Sequence, residues 1–314
     1  MALGWIIAAA IPALASAGSS TVQQTLAVTK LGTPDQLGYV VSDARAVQRQ
    51  LAMATGSQFA PARAETTLVT FPQSGRVELV KLTRTQAVRG GPGLELIESS
   101  AKIGPFATDS GNSSFFYSYT VDNIALASVR FGLTGFDLVA FDLGRFAFWR
   151  SDDGILIRLL DRGQAPSVTA ANAAQAPVDL GPPSGATIIP CDPQGALADL
   201  KRVLPDLGWR PSARYPMPFQ FEDGTTPLIE MTVDASVESP FVVIESPMTG
   251  PARYGCTPDR PHAHLLWLTT DVAAAAQQLE NAGMAWVSRV PGMVSLHRGE
   301  GGIFVEVANA AFLG

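Results

Sequence analysis

Two carboxylates stand where a charge is costly. Glu95 lies in the run Leu94-Glu95-Leu96-Ile97, and Glu306 lies in Phe304-Val305-Glu306-Val307. Strand alternation puts Glu95 on the face of Ile97 and Glu306 on the face of Phe304 and Ala308. A carboxylate left unpaired among apolar side chains costs several kcal/mol or takes up a proton, so each needs a cation or strong donors. Other reactive residue types give weaker signals. His262 reads as part of the loop entering the apolar run that follows His264, and His297 as a solvent-facing residue before a turn. Arg89-Gly90-Gly91-Pro92-Gly93 has a phosphate-friendly composition but follows no strand-to-helix junction, and it reads as a loop. Arg158 reads as a surface or ion-paired arginine, or as the holder of an acidic substrate group. Cys191 and Cys256 have no histidine in a nucleophile-activating arrangement. They permit one disulfide in an oxidising compartment, or two inert thiols.

The elements that position these residues repeat. An apolar β-rich run, an Asp, a helical stretch and a Gly recur four times in order. The Asp residues are Asp43, Asp122, Asp192 and Asp271, and the Gly stops are Gly56, Gly135, Gly208 and Gly283. An Asp before a helix accepts hydrogen bonds from first-turn N–H groups, and a Gly adopts the left-handed conformation that ends it. Short apolar strands follow each Gly, with Asp153-Gly154 and Gly301-Gly302 as turns before the last strands of copies two and four. Each copy therefore reads βαβββ. The modules cover 34–106, 114–163, 186–247 and 262–310, with a Pro- and Ala-rich linker over 164–185 and a second linker over 248–261.

On these motifs the chain resembles the vicinal oxygen chelate superfamily of glyoxalases, bleomycin-resistance proteins and extradiol dioxygenases. The best-matching pieces are Gln36 to Asp43 with Leu94 to Ile97, and His264 to Asp271 with Phe304 to Val307. The resemblance implies an α+β fold of tandem βαβββ modules forming two cupped mixed sheets. It also implies that a metal takes one ligand from the first strand and one from the last strand of each module. Carried over by position, module one offers Gln36 and Glu95, and module four offers His264 and Glu306. Module two has Phe115 or Phe116 with Arg158, and module three has Ala186 or a neighbour with Val242, which cannot bind a divalent ion.

Sequential pairing of modules would leave each cup half a ligand set. First-with-last pairing, with two against three, would gather Gln36, Glu95, His264 and Glu306, similar to the Gln/Glu/His/Glu set of zinc-type glyoxalase I. That mixed O/N set suits Zn, Ni, Mn or Fe. The two-His-one-carboxylate triad of extradiol oxygenation is not met. The resemblance then implies a metal-dependent isomerase or lyase acting on a small oxygenated molecule through an enediolate-type intermediate, with Glu306 or Glu95 as the base. The alternative is a metal-free protein that sequesters a small molecule, with Tyr39, Trp267, Phe304 and Trp286 as aromatic walls. In strands, such residues also serve as plain core.

Composition narrows the field. Only 16% of the 314 residues are charged and 46% are hydrophobic, which gives a chain able to build large cores and excludes wholesale disorder. A net charge of -6, with Lys and Arg scattered, argues against nucleic acid as a partner. The apolar run Trp5 to Leu14 is too short to span a bilayer, so no integral span is expected. With Ala15-Ser16-Ala17 after it, residues 1–17 read as a signal peptide without a basic n-region, which points to periplasmic or secreted placement. The other readings are an N-terminal apolar helix on a cytoplasmic protein, or a misplaced start. Fused modules allow a monomer or a homodimer.

Overall fold

The computed structural model describes residues 31–87, 93–108, 114–142, 144–164, 180–238, 241–247 and 262–312. The signal-peptide segment, the central part of the first linker, all of the second linker and Cys256 lie outside them.

Module one runs β1 (Gln36–Val41), α1 (Ala44–Thr55), β2 (Arg63–Phe71), β3 (Arg76–Gln86) and β4 (Gly93–Ser99). Module two runs β5 (Ser114–Val121), α2 (Ile124–Leu133), β6 (Asp137–Asp142), β7 (Phe146–Arg150) and β8 (Leu156–Asp161). Module three has β9 (Gly185–Ile189), α3 (Pro193–Val203), β10 (Ala213–Pro218), β11 (Gln220–Phe221), β12 (Leu228–Ala235) and β13 (Phe241–Pro247). Module four has β14 (His262–Thr269), α4 (Val272–Asn281), β15 (Ala285–Val290), β16 (Val294–Arg298) and β17 (Phe304–Asn309).

The helix punctuation has the expected mechanism, with two shifts. Asp43, Asp192 and Asp271 each accept a first-turn N–H. In module two that role falls to Asn123, while Asp122 pairs with Arg162. Gly56, Gly135 and Gly283 take positive φ. Helix α3 ends at Val203 instead of running to Leu207, because Pro205 bars Leu204 from a helical backbone and lacks an N–H.

The modules pair in sequence order, which overturns the first-with-last expectation. Modules one and two close a barrel of order β1-β4-β3-β2-β6-β7-β8-β5, joined by antiparallel β1 and β5. Modules three and four form a nine-stranded sheet of order β10-β12-β13-β9-β14-β17-β16-β15-β11. Its two outer strands are consecutive in the chain, so the sheet also curls into a cup. Modules one and four do meet, but back to back through their helices. Gln278 Nε2 donates to Ala54 O at 2.8 Å, and Glu300 N donates to Gln50 Oε1 at 2.6 Å.

Three apolar cores result. One lies between the two cups and under the helices, and one lies inside each cup. Strand parity decides which core a residue joins. Tyr39, Trp267, Ala186 and Val242 all enter the shared core between the cups, and the Tyr39 hydroxyl donates to Ala263 O at 2.8 Å. Tyr39 and Trp267 are therefore not cup walls, contrary to expectation. Trp286 lies beneath the Arg289 guanidinium. No helix of the described residues is long and apolar enough to cross a membrane.

Candidate functional site

The N-terminal cup is filled. Phe106, Phe116 and Phe148 pack edge to face, with centroids 5.1 and 5.2 Å apart. Gly38 admits the Phe116 ring, since a Cβ there would stand 2.0 Å from a ring carbon. The Arg158 guanidinium lies over that ring, 4.8 Å from its centroid. It donates to Gln36 Oε1 at 2.9 Å and to Ser118 Oγ at 3.0 Å, and it contacts the Glu95 carboxylate. Arg84 Nε reaches Glu95 from the other side at 2.6 Å. The chain of charges continues through Glu65 to Arg145 and Asp142. Burial pushes the Glu95 carboxyl up, but the Arg158 and Arg84 guanidiniums more than offset this and hold it below the usual carboxylate range. Gln36 and Glu95 are therefore committed to Arg158, and this cup does not fit a metal.

The C-terminal cup is different. A small, partly open pocket has apolar walls of Met217, Phe219, Met231, Val294 and Leu296. Its polar side chains are Glu245, His264, Ser288 and Glu306, and among the described residues no Lys or Arg lines it. His264 and Glu306 are buried, and His264 Nδ1 lies 3.2 Å from Glu306 Oε2. The imidazole faces the carboxylate through Nδ1, leaving Nε2 as the ring's other hydrogen-bonding nitrogen. Nε2 is buried and has no partner among the described residues. Thr187 stands directly opposite His264 across β9 and β14, and its buried Oγ1 is also without a partner there. Glu245 is pushed well up, first by burial and then by the charge of Glu306.

Of the residues expected to share a site, His264 and Glu306 come together, and Gln36 and Glu95 lie in the other cup. Phe304 sits on the cup face beside His262 and His264, with centroids 4.2 and 5.9 Å away. His262 is thus the first residue of a strand and not part of a loop, and burial above all pushes its imidazole down to about 3. His297 is fully buried, with Nε2 2.9 Å from Ser295 Oγ, because β16 is covered on both faces.

Sequence reasoning missed Thr187 by one residue, at Ala186, and Glu245 by three, at Val242. In β14 and β17 Glu306 pairs with Leu266, two residues beyond His264. In β9 and β13 Val243 pairs with Thr187, so Thr187 and Glu245 hold the cup-facing positions. Ala186 and Val242 face the other way. The run Phe241-Val242-Val243-Ile244-Glu245 carries the signal that marked Glu95 and Glu306, an acid closing an apolar strand. The donor types would suit a divalent ion, but as the side chains stand no group of three or more His, Cys, Asp or Glu among the described residues could hold one.

The architecture is the glyoxalase-like fold: tandem βαβββ modules curled pairwise into cups. A mutant of 4-hydroxymandelate synthase from Streptomyces coelicolor is similar over 90% of this chain and 93% of its own, at 14% identity and TM-score 0.53. BphC, a halotolerant catechol dioxygenase, matches over 90% and 87%, at 10% identity and TM-score 0.45. The Mn(II)-bound glyoxalase from Novosphingobium aromaticivorans matches over 89% and 82%, at 12% identity and TM-score 0.44. No protein-family model matches the chain, and no curated protein sequence does.

Proposed function

We propose that this chain is a small-molecule-binding protein of the vicinal oxygen chelate fold that works through its C-terminal cup alone, with the N-terminal cup as its structural sister. The carrying observation is the contrast between the cups. One is packed with phenylalanine and internally charge-paired, while the other keeps a cavity with buried Glu245, His264 and Glu306 and, among the described residues, no Lys or Arg lining it. His264 and Glu306 hold the polar end, and the Met217, Phe219 and Met231 walls take the apolar body of the ligand.

A metal-dependent isomerase or lyase acting on a small oxygenated molecule is the second reading, favoured by one imidazole and two carboxylates on a single cavity. It has lost Gln36 and Glu95 as ligands, and it requires side chains to turn before a metal is held. Export into an oxidising compartment belongs to the proposal, supported by the disulfide-bonded state of Cys191.

The test is elemental analysis of purified protein together with thermal-shift screening of small molecules against the native chain and Leu296→Trp, which fills the cavity. The proposal expects ligand-induced stabilisation in the native chain and its loss in the variant. Stoichiometric Zn, Ni, Mn or Fe that is lost in Glu306→Gln would move the assignment to the second reading. Stabilisation that persists in Leu296→Trp would place the ligand elsewhere.

A further inference from the structure

The inference rests on the C-terminal cup being the ligand site and concerns which ligands it takes. The polar groups there are an imidazole, two carboxyl groups and two hydroxyls. His264 Nδ1 is committed to Glu306, and Nε2 is buried without a partner among the described residues. Glu306 accepts, Thr187 Oγ1 opposite His264 is unengaged among the described residues, and Glu245 adds a second buried carboxyl group. A pocket with two buried carboxyl groups and no Lys or Arg lining it among the described residues disfavours a carboxylate or phosphate.

The sister cup shows how this fold meets that demand. Modules one and four share one register: Glu95 pairs with Gly38, two residues beyond Gln36, as Glu306 pairs with Leu266, two residues beyond His264. Gln36 and His264 are thus equivalent, as are Glu95 and Glu306. On the first pair sits a guanidinium, that of Arg158. It donates to the Gln36 acceptor and to the carboxylate, and it rests on an aromatic ring. The second pair presents a ring nitrogen and a carboxyl group in the same relation, with Phe304 alongside, and no Lys or Arg lines the cup among the described residues.

We propose that the C-terminal cup recognises a small organic cation, a primary ammonium or guanidinium on a short apolar body. Its charged head takes the place at His264 and Glu306 that Arg158 fills at Gln36 and Glu95. The body lies against Met217, Phe219 and Met231, soft and adaptable surfaces that accept varied shapes.

The experiment is isothermal titration of the full chain with 2-phenylethylamine and butylguanidine, against 2-phenylethanol and 3-phenylpropionate as neutral and anionic congeners, and against MnCl2 and ZnCl2. The expected result is binding of the two cations, weakened on the order of tenfold or more in Glu306→Gln, with the neutral and anionic congeners weaker still. Circular dichroism of the variant, and Glu245→Gln as a second isosteric change, separate lost recognition from lost folding. Equal or better binding of 2-phenylethanol or 3-phenylpropionate overturns the cation assignment and leaves the small-molecule cup standing, whereas a response to the metals alone overturns the cation assignment in favour of the metal-dependent reading. Silence of every probe, with a thermal-shift screen unchanged by Leu296→Trp, overturns both.

Discussion

At the scale of single residues, the molecule contrasts two ways of keeping a carboxylate inside a protein. Glu95 is surrounded by guanidiniums, so removing its main partner exposes a buried charge. Arg158→Met should destabilise the chain by about 3–5 kcal/mol in urea denaturation, and Glu95→Gln added to it should recover much of the loss, because the uncompensated charge goes with the partner. Equal destabilisation by single and double variants would show that the arginine acts by packing alone. His297 gives a pH signature. Burial first and Arg289 second push its imidazole down to about 4, against about 6.5 for an unfolded histidine. As pH falls below about 6.5 the unfolded chain takes a proton that the folded chain refuses, so stability declines until about pH 4 and then levels. His297→Gln should flatten that part of the Tm-against-pH curve, leaving a shallower slope from the similarly depressed His262. An unchanged curve would mean that the folded imidazole titrates normally.

At the scale of elements, the repeat, its helices and most strand positions were legible because Asp, Asn and Gly punctuate them by local mechanisms that need no partner. Strand facing in module three was not. Strand β9 has only five residues, buried on both faces, and a sheet covered on both sides loses the apolar-polar alternation that reveals parity. That is why Ala186 and Val242 were read as the cup-facing positions in place of Thr187 and Glu245, although Glu245 carries the same charge signal as Glu306. Tyr39 and Trp267 were misplaced for the same reason, since either face of β1 or β14 receives an aromatic equally well. Close approach between elements is equally invisible in sequence. Gly38 of β1 leaves the space that the Phe116 ring of β5 occupies beneath Arg158. Gly38→Ala should therefore cost about 1–3 kcal/mol by overpacking, and Phe116→Leu should relieve part of it. Additive losses in the double variant, measured by thermal melting, would show that the two sites do not share that space.

At the scale of the whole molecule, the expected meeting of the first and last modules occurs on their helical backs and not around a common centre. Cup pairing is chosen by which strands lie side by side, and β1 finds β5 whereas β14 finds β9, a choice no local signal encodes. The helical contact nevertheless matters for cooperativity, because Leu51 of α1 and Leu279 of α4 belong to one continuous core that also contains Trp149 of the N-terminal cup and Trp267 of the C-terminal cup. Loss of a buried leucine side chain costs about 2–5 kcal/mol, and in a shared core that loss is felt by both halves. Leu51→Ala should lower the Tm of a single transition seen alike by tryptophan fluorescence and by far-ultraviolet circular dichroism. Ligand binding in the C-terminal cup should survive at temperatures where the variant is folded, since Leu51 faces the core outside that cup. Two separated transitions, with only the first shifted, would mean that the barrels melt independently and that the interface between them is adhesive rather than a common core.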